Sequence, residues 1–257
     1  QYKKNIVERD TFSSGTGFTA TYRFTLKNLK DKSSLMAVVE RPGLWNVTLN
    51  GTEIKPEPDL WWLDREFRVF RIGSMVKEGP NELKLNASPM KIHAEIEPVY
   101  IVGDFSVEPV EKGWIITPPA KALTKGTWLN QDLPFYSWSV TYSKDFNIDT
   151  VNGKYYIKVS DWKGTVSEVF VNGKKAGVIA FPPYEADVTA FISSGVNKVD
   201  LRITGSLRNL EGPHHNNPPA GISSPWSWRN VKSYPSGKEY KFYDYGLFGD
   251  FTLLNRR

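Results

Sequence analysis

Apolar and polar residues alternate in short runs along most of this chain. "FTATYRFTL", "WNVTLN", "FRVFRI", "ELKLNA", "SWSVTYSKDF", "YYIKVSD", "SEVFVNG", "KVDLRIT" and "GDFTLL" are built largely from β-branched and aromatic residues. A period of two sends one set of side chains to a buried face and the other to solvent, which is the signature of half-buried strands. Gly, Pro, Asn and Asp bound most of these runs and supply the backbone geometry of turns. Two segments allow a helical reading, "AEIEPVYI", which a proline interrupts, and "DVTAFISSG". The pattern predicts an all-β chain of sandwich or jelly-roll type.

A repeat organises these strands. Asn50-Gly51 follows "NVTL" and Asn172-Gly173 follows "SEVFV"; Gly79-Pro80-Asn81 then leads into "ELKL" and Gly195-Val196-Asn197 into "KVDLRI". Asn-Gly suits the two positive-φ positions of a tight hairpin turn, so each copy marks a hairpin. The spacing from the first Asn to the second is 31 residues in one copy and 25 in the other, and the longer copy holds the extra "EPDLWWLD". Two tandem jelly-roll sandwiches are expected, one over residues 1–100 and one over residues 101–257.

Composition narrows the function classes. The chain has 257 residues, enough to bury a proper core without staples, and no cysteine, which removes disulfides, thiolate metal sites and cysteine nucleophiles. The net charge of +5 is scattered, with no basic stripe or nucleic-acid motif, so no nucleic-acid partner is expected. No apolar run approaches the ~18 residues of a membrane span, and the N-terminus lacks the apolar stretch of a signal peptide. The expectation is a soluble chain, either a mature form or a piece of a longer protein. Fourteen per cent of the residues are aromatic, nine of them Trp; such rings stack on sugar faces and also fill β-sandwich cores.

The segment "DWKGTVSEVFVNGKKAGVIAFPPYEADVT" resembles the sugar-binding domain of family 2 glycoside hydrolases, a galactose-binding-like β-sandwich. The matching positions are Val169, Val171, Asn172, Gly173, Gly177, Tyr184, Asp187, Thr189, Gly195 and Asn197. "WSVTYSKDFNI" upstream resembles that domain's opening strand, although Trp138 stands where relatives more often carry a small residue. Residues 135–205 carry the likeness, and residues 15–86 resemble a more divergent copy. The tail "SLRNLEGPHHNNPPAG…DYGLFGDFTLL" is similar to the C-terminal end of large bacterial glycoside hydrolases of the rhamnosidase and family 2-like type. The resemblance implies a catalytic (β/α)₈ barrel elsewhere, and nothing here alternates strand and helix as such a barrel does. Within the matched box, Asn172 and Gly173 are expected to make the turn, Gly177 to relieve crowding in the next strand, and Asp187 to bond its neighbouring backbone or the Thr189 hydroxyl.

Ligand chemistry has three candidate locations. Trp61 and Trp62 lie in the insertion of the first repeat; Trp226 and Trp228, two apart on an extended segment and followed by Arg229, could form a stacking platform. His214-His215 could hydrogen-bond sugar hydroxyls or cap backbone carbonyls, but adjacent strand residues face opposite sides and seldom ligate one metal. The remaining histidine, His93, reads as an unremarkable strand residue. Glycosidic hydrolysis needs two carboxylates about 5 to 9.5 Å apart, and Asp64, Glu66, Glu168, Asp187, Glu211, Asp244 and Asp250 show no diagnostic pairing. No cofactor is expected; a structural calcium is left open without being indicated.

The expected function is a non-catalytic carbohydrate-binding or scaffolding region of a larger bacterial glycoside hydrolase, in the periplasm or outside the cell. Its partners would be a glycan or oligosaccharide and a catalytic domain of the same polypeptide. Two other classes stay open: a free-standing carbohydrate-binding or adhesion protein, and a β-sandwich glycosidase or lyase.

Overall fold

A computed structural model describes residues 11–120, 122–214 and 236–256. The chain divides into two units, Gln1–Pro119 and Ala120–Arg257. The first contains β1 (Phe18–Leu26), β2 (Met36–Glu40), β3 (Asn46–Leu49), β4 (Thr52–Glu53), β5 (Trp61–Trp62), β6 (Asp64–Arg71), β7 (Gly79–Ala87), β8 (Tyr100–Val102), β9 (Ser106–Pro109) and β10 (Trp114–Thr117). The second contains β11 (Ser139–Ile148), β12 (Lys154–Val159), β13 (Trp162–Lys163), β14 (Val166–Val171), β15 (Lys174–Ile179), β16 (Glu185–Asp187), β17 (Gly195–Thr204), β18 (Gly246–Leu247) and β19 (Phe251–Arg256), with a single helical turn, α1 (Arg208–Glu211). The described residues are thus all-β apart from that turn and a few 3₁₀ turns.

In the first unit one sheet has the order β4-β3-β7-β1-β10-β9 and the other β5-β6-β2-β8. In the second the sheets are β15-β14-β17-β11 and β16-β12-β19, with a short β13-β18 ribbon. Seven strands of each unit occupy the same places in the same chain order: β1, β2, β3, β4, β6, β7 and β8 correspond to β11, β12, β14, β15, β16, β17 and β19. The registers agree as well. Leu26 faces Gly79 across β1–β7 as Ile148 faces Gly195 across β11–β17. Leu49 faces Leu83 across β3–β7 as Val171 faces Val199 across β14–β17.

The alternation seen in the sequence is the burial pattern of these strands. β7 buries Asn81, Leu83, Leu85 and Ala87, and β17 buries Asn197, Val199, Leu201 and Ile203. In the second unit the buried residues of both main sheets belong to one core, with Val169, Leu201 and Ile203 from one and Tyr155, Ile157 and Phe251 from the other. Fully burying each such aliphatic side chain contributes about 1.5–3 kcal/mol before conformational entropy is counted. Trp128 closes this core, with its Nε1–H donating to the Tyr142 hydroxyl at 2.9 Å and its ring against Tyr136 and Tyr245.

The division between the units differs from the expected one near residue 100. β8 pairs with β2, and β9 and β10 extend the first sheet by placing β10 beside β1 in parallel. Residues 101–119 therefore belong with the first unit. Neither segment with a helical reading is an α-helix: residues 94–99 are irregular, and Thr189–Phe191 is a single 3₁₀ turn.

Candidate functional site

The residues of the resemblance box hold the fold. Asn172 sits at φ 50° and Gly173 at φ 80°, both positive, as the tight turn between β14 and β15 requires. The Asn172 amide NH₂ donates to Asn197 Oδ1 at 3.1 Å, while its own Oδ1 accepts from the Lys198 N–H at 3.0 Å. Fully buried Asn197 also accepts from the Ser193 N–H and donates to the Ser193 and Gly195 carbonyls. The first unit repeats this bond for bond. Asn50 donates to Asn81 Oδ1 at 2.9 Å and accepts from the Glu82 N–H, and Asn81 bridges Lys77 and Gly79 as Asn197 bridges Ser193 and Gly195. A Cβ added at Gly177 would sit 3.0 Å from that of Ala186, so the expected relief of crowding is physical. Tyr184, at φ 55°, stacks its ring edge-on against Trp162. Asp187 Oδ1 accepts from both the amide and the hydroxyl of Thr189, at 2.9 and 2.6 Å.

The candidate ligand residues separate. Trp61 is 48% exposed on the short edge strand β5. Trp62 turns to the other side and packs at 5.4 Å against Tyr100. His214 is half-buried: its Nε2–H donates to the Asn209 carbonyl at 2.6 Å, and its ring stacks at 17° on Tyr240 beside Phe135 and Phe242. It caps a backbone carbonyl and packs, which is the structural alternative of the sequence reading. His215, Trp226, Trp228 and Arg229 lie outside the described residues.

The structure adds a recess in the first unit that no local motif announces. Arg41, at φ 44° and ψ 57°, starts the turn "RPGLW" between β2 and β3. Its backbone N–H donates to the Glu66 carbonyl, and the turn closes through Leu44 N–H to the Arg41 carbonyl. Lys91 Nζ steadies the same turn by donating to the Gly43 carbonyl at 2.9 Å. Arg41, Leu44, Arg65, Glu66, Arg68 and His93 line the outer part of the recess. An adjoining part, which shares Arg41, Leu44 and His93 with it, is lined by Glu40, Trp45, Glu95, Glu97, Val39 and Leu85. His93 lies in a turn after β7 rather than in a strand. Trp61 pairs directly with Arg68 across β5–β6, which sets the open indole on the same face as that guanidinium.

Several carboxylates outside the recess are paired with cations. Glu168 pairs with Lys175 and Arg202, Asp244 with Lys163, and Asp250 with Lys125. Hydrogen bonding from Thr189 holds the Asp187 carboxyl below its usual range; bonds from Lys163 and Lys125 do so for Asp244 and Asp250. A glycosidase's general acid needs its pKa raised instead. Among the described residues no group of three or more His, Asp or Glu could hold a metal ion, and no helix is long and apolar enough to cross a membrane.

Comparison of the sequence with family models and with curated proteins gives no match. Among solved structures, a rhamnosidase from Novosphingobium sp. PP1Y is similar over 95% of this chain and 23% of its own, at 15% identity and a TM-score of 0.35. A Streptomyces avermitilis alpha-L-rhamnosidase, complexed with L-rhamnose, is similar over 76% of this chain and 22% of its own, at 16% identity and a TM-score of 0.31. This chain spans less than a quarter of the length of either.

Proposed function

We propose that this chain is a non-catalytic carbohydrate-binding region of a larger bacterial glycoside hydrolase, working outside the cytoplasm. It is read as two tandem galactose-binding-like jelly-roll sandwiches. The observation that carries the reading is the duplicated strand order with its asparagine-locked turn, which gives physical form to the residues through which the sequence resembles sugar-binding domains. The exposed ring of Trp61, set beside the polar recess of the first unit, supplies the apolar face and the hydrogen-bonding groups that a sugar needs. The parent enzyme would carry the catalytic domain, and this region would hold substrate near it.

A glycan array probed with the intact chain and with Trp61→Ala tests the proposal. Retention of at least one glycan family is expected, weakened about tenfold or more by Trp61→Ala at unchanged melting temperature. An array on which the intact chain retains nothing would leave only a scaffolding role.

A further inference from the structure

We infer that the outer recess of the first unit recognises the anionic group of an acidic sugar, a carboxylate or a sulfate ester. The inference rests on the carbohydrate-binding reading and names the class of glycan. Three arginines line that part of the recess against one carboxylate, Glu66. Two of them, Arg65 and Arg68, form no ion pair among the described residues. Arg68 is half-buried, spends one Nη on the Glu57 carbonyl at 3.0 Å, and keeps its Nε enclosed without a hydrogen-bond partner. Arg41 reaches Glu40 and Glu66 only at 3.8 and 3.9 Å, the long limit of ion pairing.

Burial of a guanidinium costs stability unless an anion answers it. A chain that keeps such a group in a recess, beside a second arginine with no partner, has a site whose electrostatics are completed from outside. Strain points to the same place. Arg41 holds a left-handed backbone conformation that non-glycine residues seldom adopt, and it is fixed there by the Glu66 carbonyl and the turn that follows. The planar, forked donors of arginine suit the paired oxygens of a carboxylate or sulfate. Glu40, Glu95 and Glu97 in the adjoining part can accept from sugar hydroxyls, and the Trp61 ring beside Arg68 offers the stacking face. Anion and hydroxyls would therefore be read by adjoining parts of one recess.

Calorimetric titration of the whole chain with a uronate hexasaccharide, with its carboxyl-reduced neutral form and with a sulfated galactan hexasaccharide tests this. One of the two acidic sugars should bind at least tenfold more tightly than the neutral one, with the margin narrowing as salt rises. Arg65→Gln should remove that margin without lowering the melting temperature, and Glu66→Gln should widen it. A margin shown only by the sulfated sugar would support the inference and identify the anion as sulfate. Equal binding of acidic and neutral sugars, or a margin indifferent to Arg65→Gln, would overturn it and leave carbohydrate binding standing. Absence of binding to all three, on a chain that the array shows to bind other glycans, would place recognition away from this recess.

Discussion

The two units share a frame and differ in what is hung on it. Each places seven strands in the same order, and each closes one hairpin turn by joining the side chains of two asparagines. The second unit adds the β13-β18 ribbon and an aromatic plug around Trp128. The first adds the edge strand β5 and a charged recess, and widens one sheet with β9 and β10. The shared parts are buried and hydrogen-bonded; of the differences, the Trp128 plug enters the core of the second unit, whereas β5 and the recess of the first lie at edges and loops, where a change costs the core little.

If the asparagine lock is the common element, breaking it should hurt both copies alike. Asn197→Ala strips five hydrogen bonds from a fully buried position, one of them from the Ser193 hydroxyl, and Asn81→Ala strips four. Each should cost about 3 kcal/mol, because several buried backbone groups lose their partner at once. Urea unfolding of the two variants should give losses within about 1 kcal/mol of each other; a large inequality would mean that the locks are alike in form only. The turns themselves offer a smaller test. Gly51 and Gly173 have φ of 86° and 80°, and a Cβ at either meets nothing within 4 Å. Alanine there carries only backbone strain, about 1 kcal/mol in each unit by the same measurement.

The smallest effect concerns acid. Asp31 accepts from the amide and hydroxyl of Ser33, as Asp187 does from Thr189, and the side-chain bond is the main cause that lowers each carboxyl's pKa. A pKa depressed on folding adds stability that is present above the unfolded value and lost as pH falls through the folded one. Melting temperature followed from pH 7 down to about 2.5 should therefore fall less steeply in the acid range for Asp31→Asn and for Asp187→Asn. Both carboxylates are exposed, so each change should be slight; an unaltered acid slope would show that the caps contribute nothing.

The frame was legible in the sequence because it depends on local chemistry. Asn-Gly and Gly-x-Asn mark positive-φ positions that few other residues tolerate, and alternation reports which face of a strand is buried. What alternation does not encode is the partner. Nothing in residues 101–119 says that β10 will lie beside β1, so the expected division near residue 100 falls short of the observed one at Pro119. The recess escaped notice for a related reason. Its residues come from the turn after β2, from β6 and from the segment after β7, and only folding brings Arg41, Arg68 and His93 to one rim. Trp61 and Trp62 carry the same sequence signal, and only the fold shows that one ring is open while the other packs on Tyr100.

The asparagine lock has a consequence for how such a chain can change. It clamps together two points separated by 31 residues in one copy and 25 in the other, independently of what lies between them. The intervening stretch is fastened at its collar, and the longer copy has taken its extra residues there, as a side piece to the paired strands. The β5 edge, outside the seven-strand frame, is the place where new sequence can be added, since β4 and β6 on either side of it keep their own partners β3 and β2.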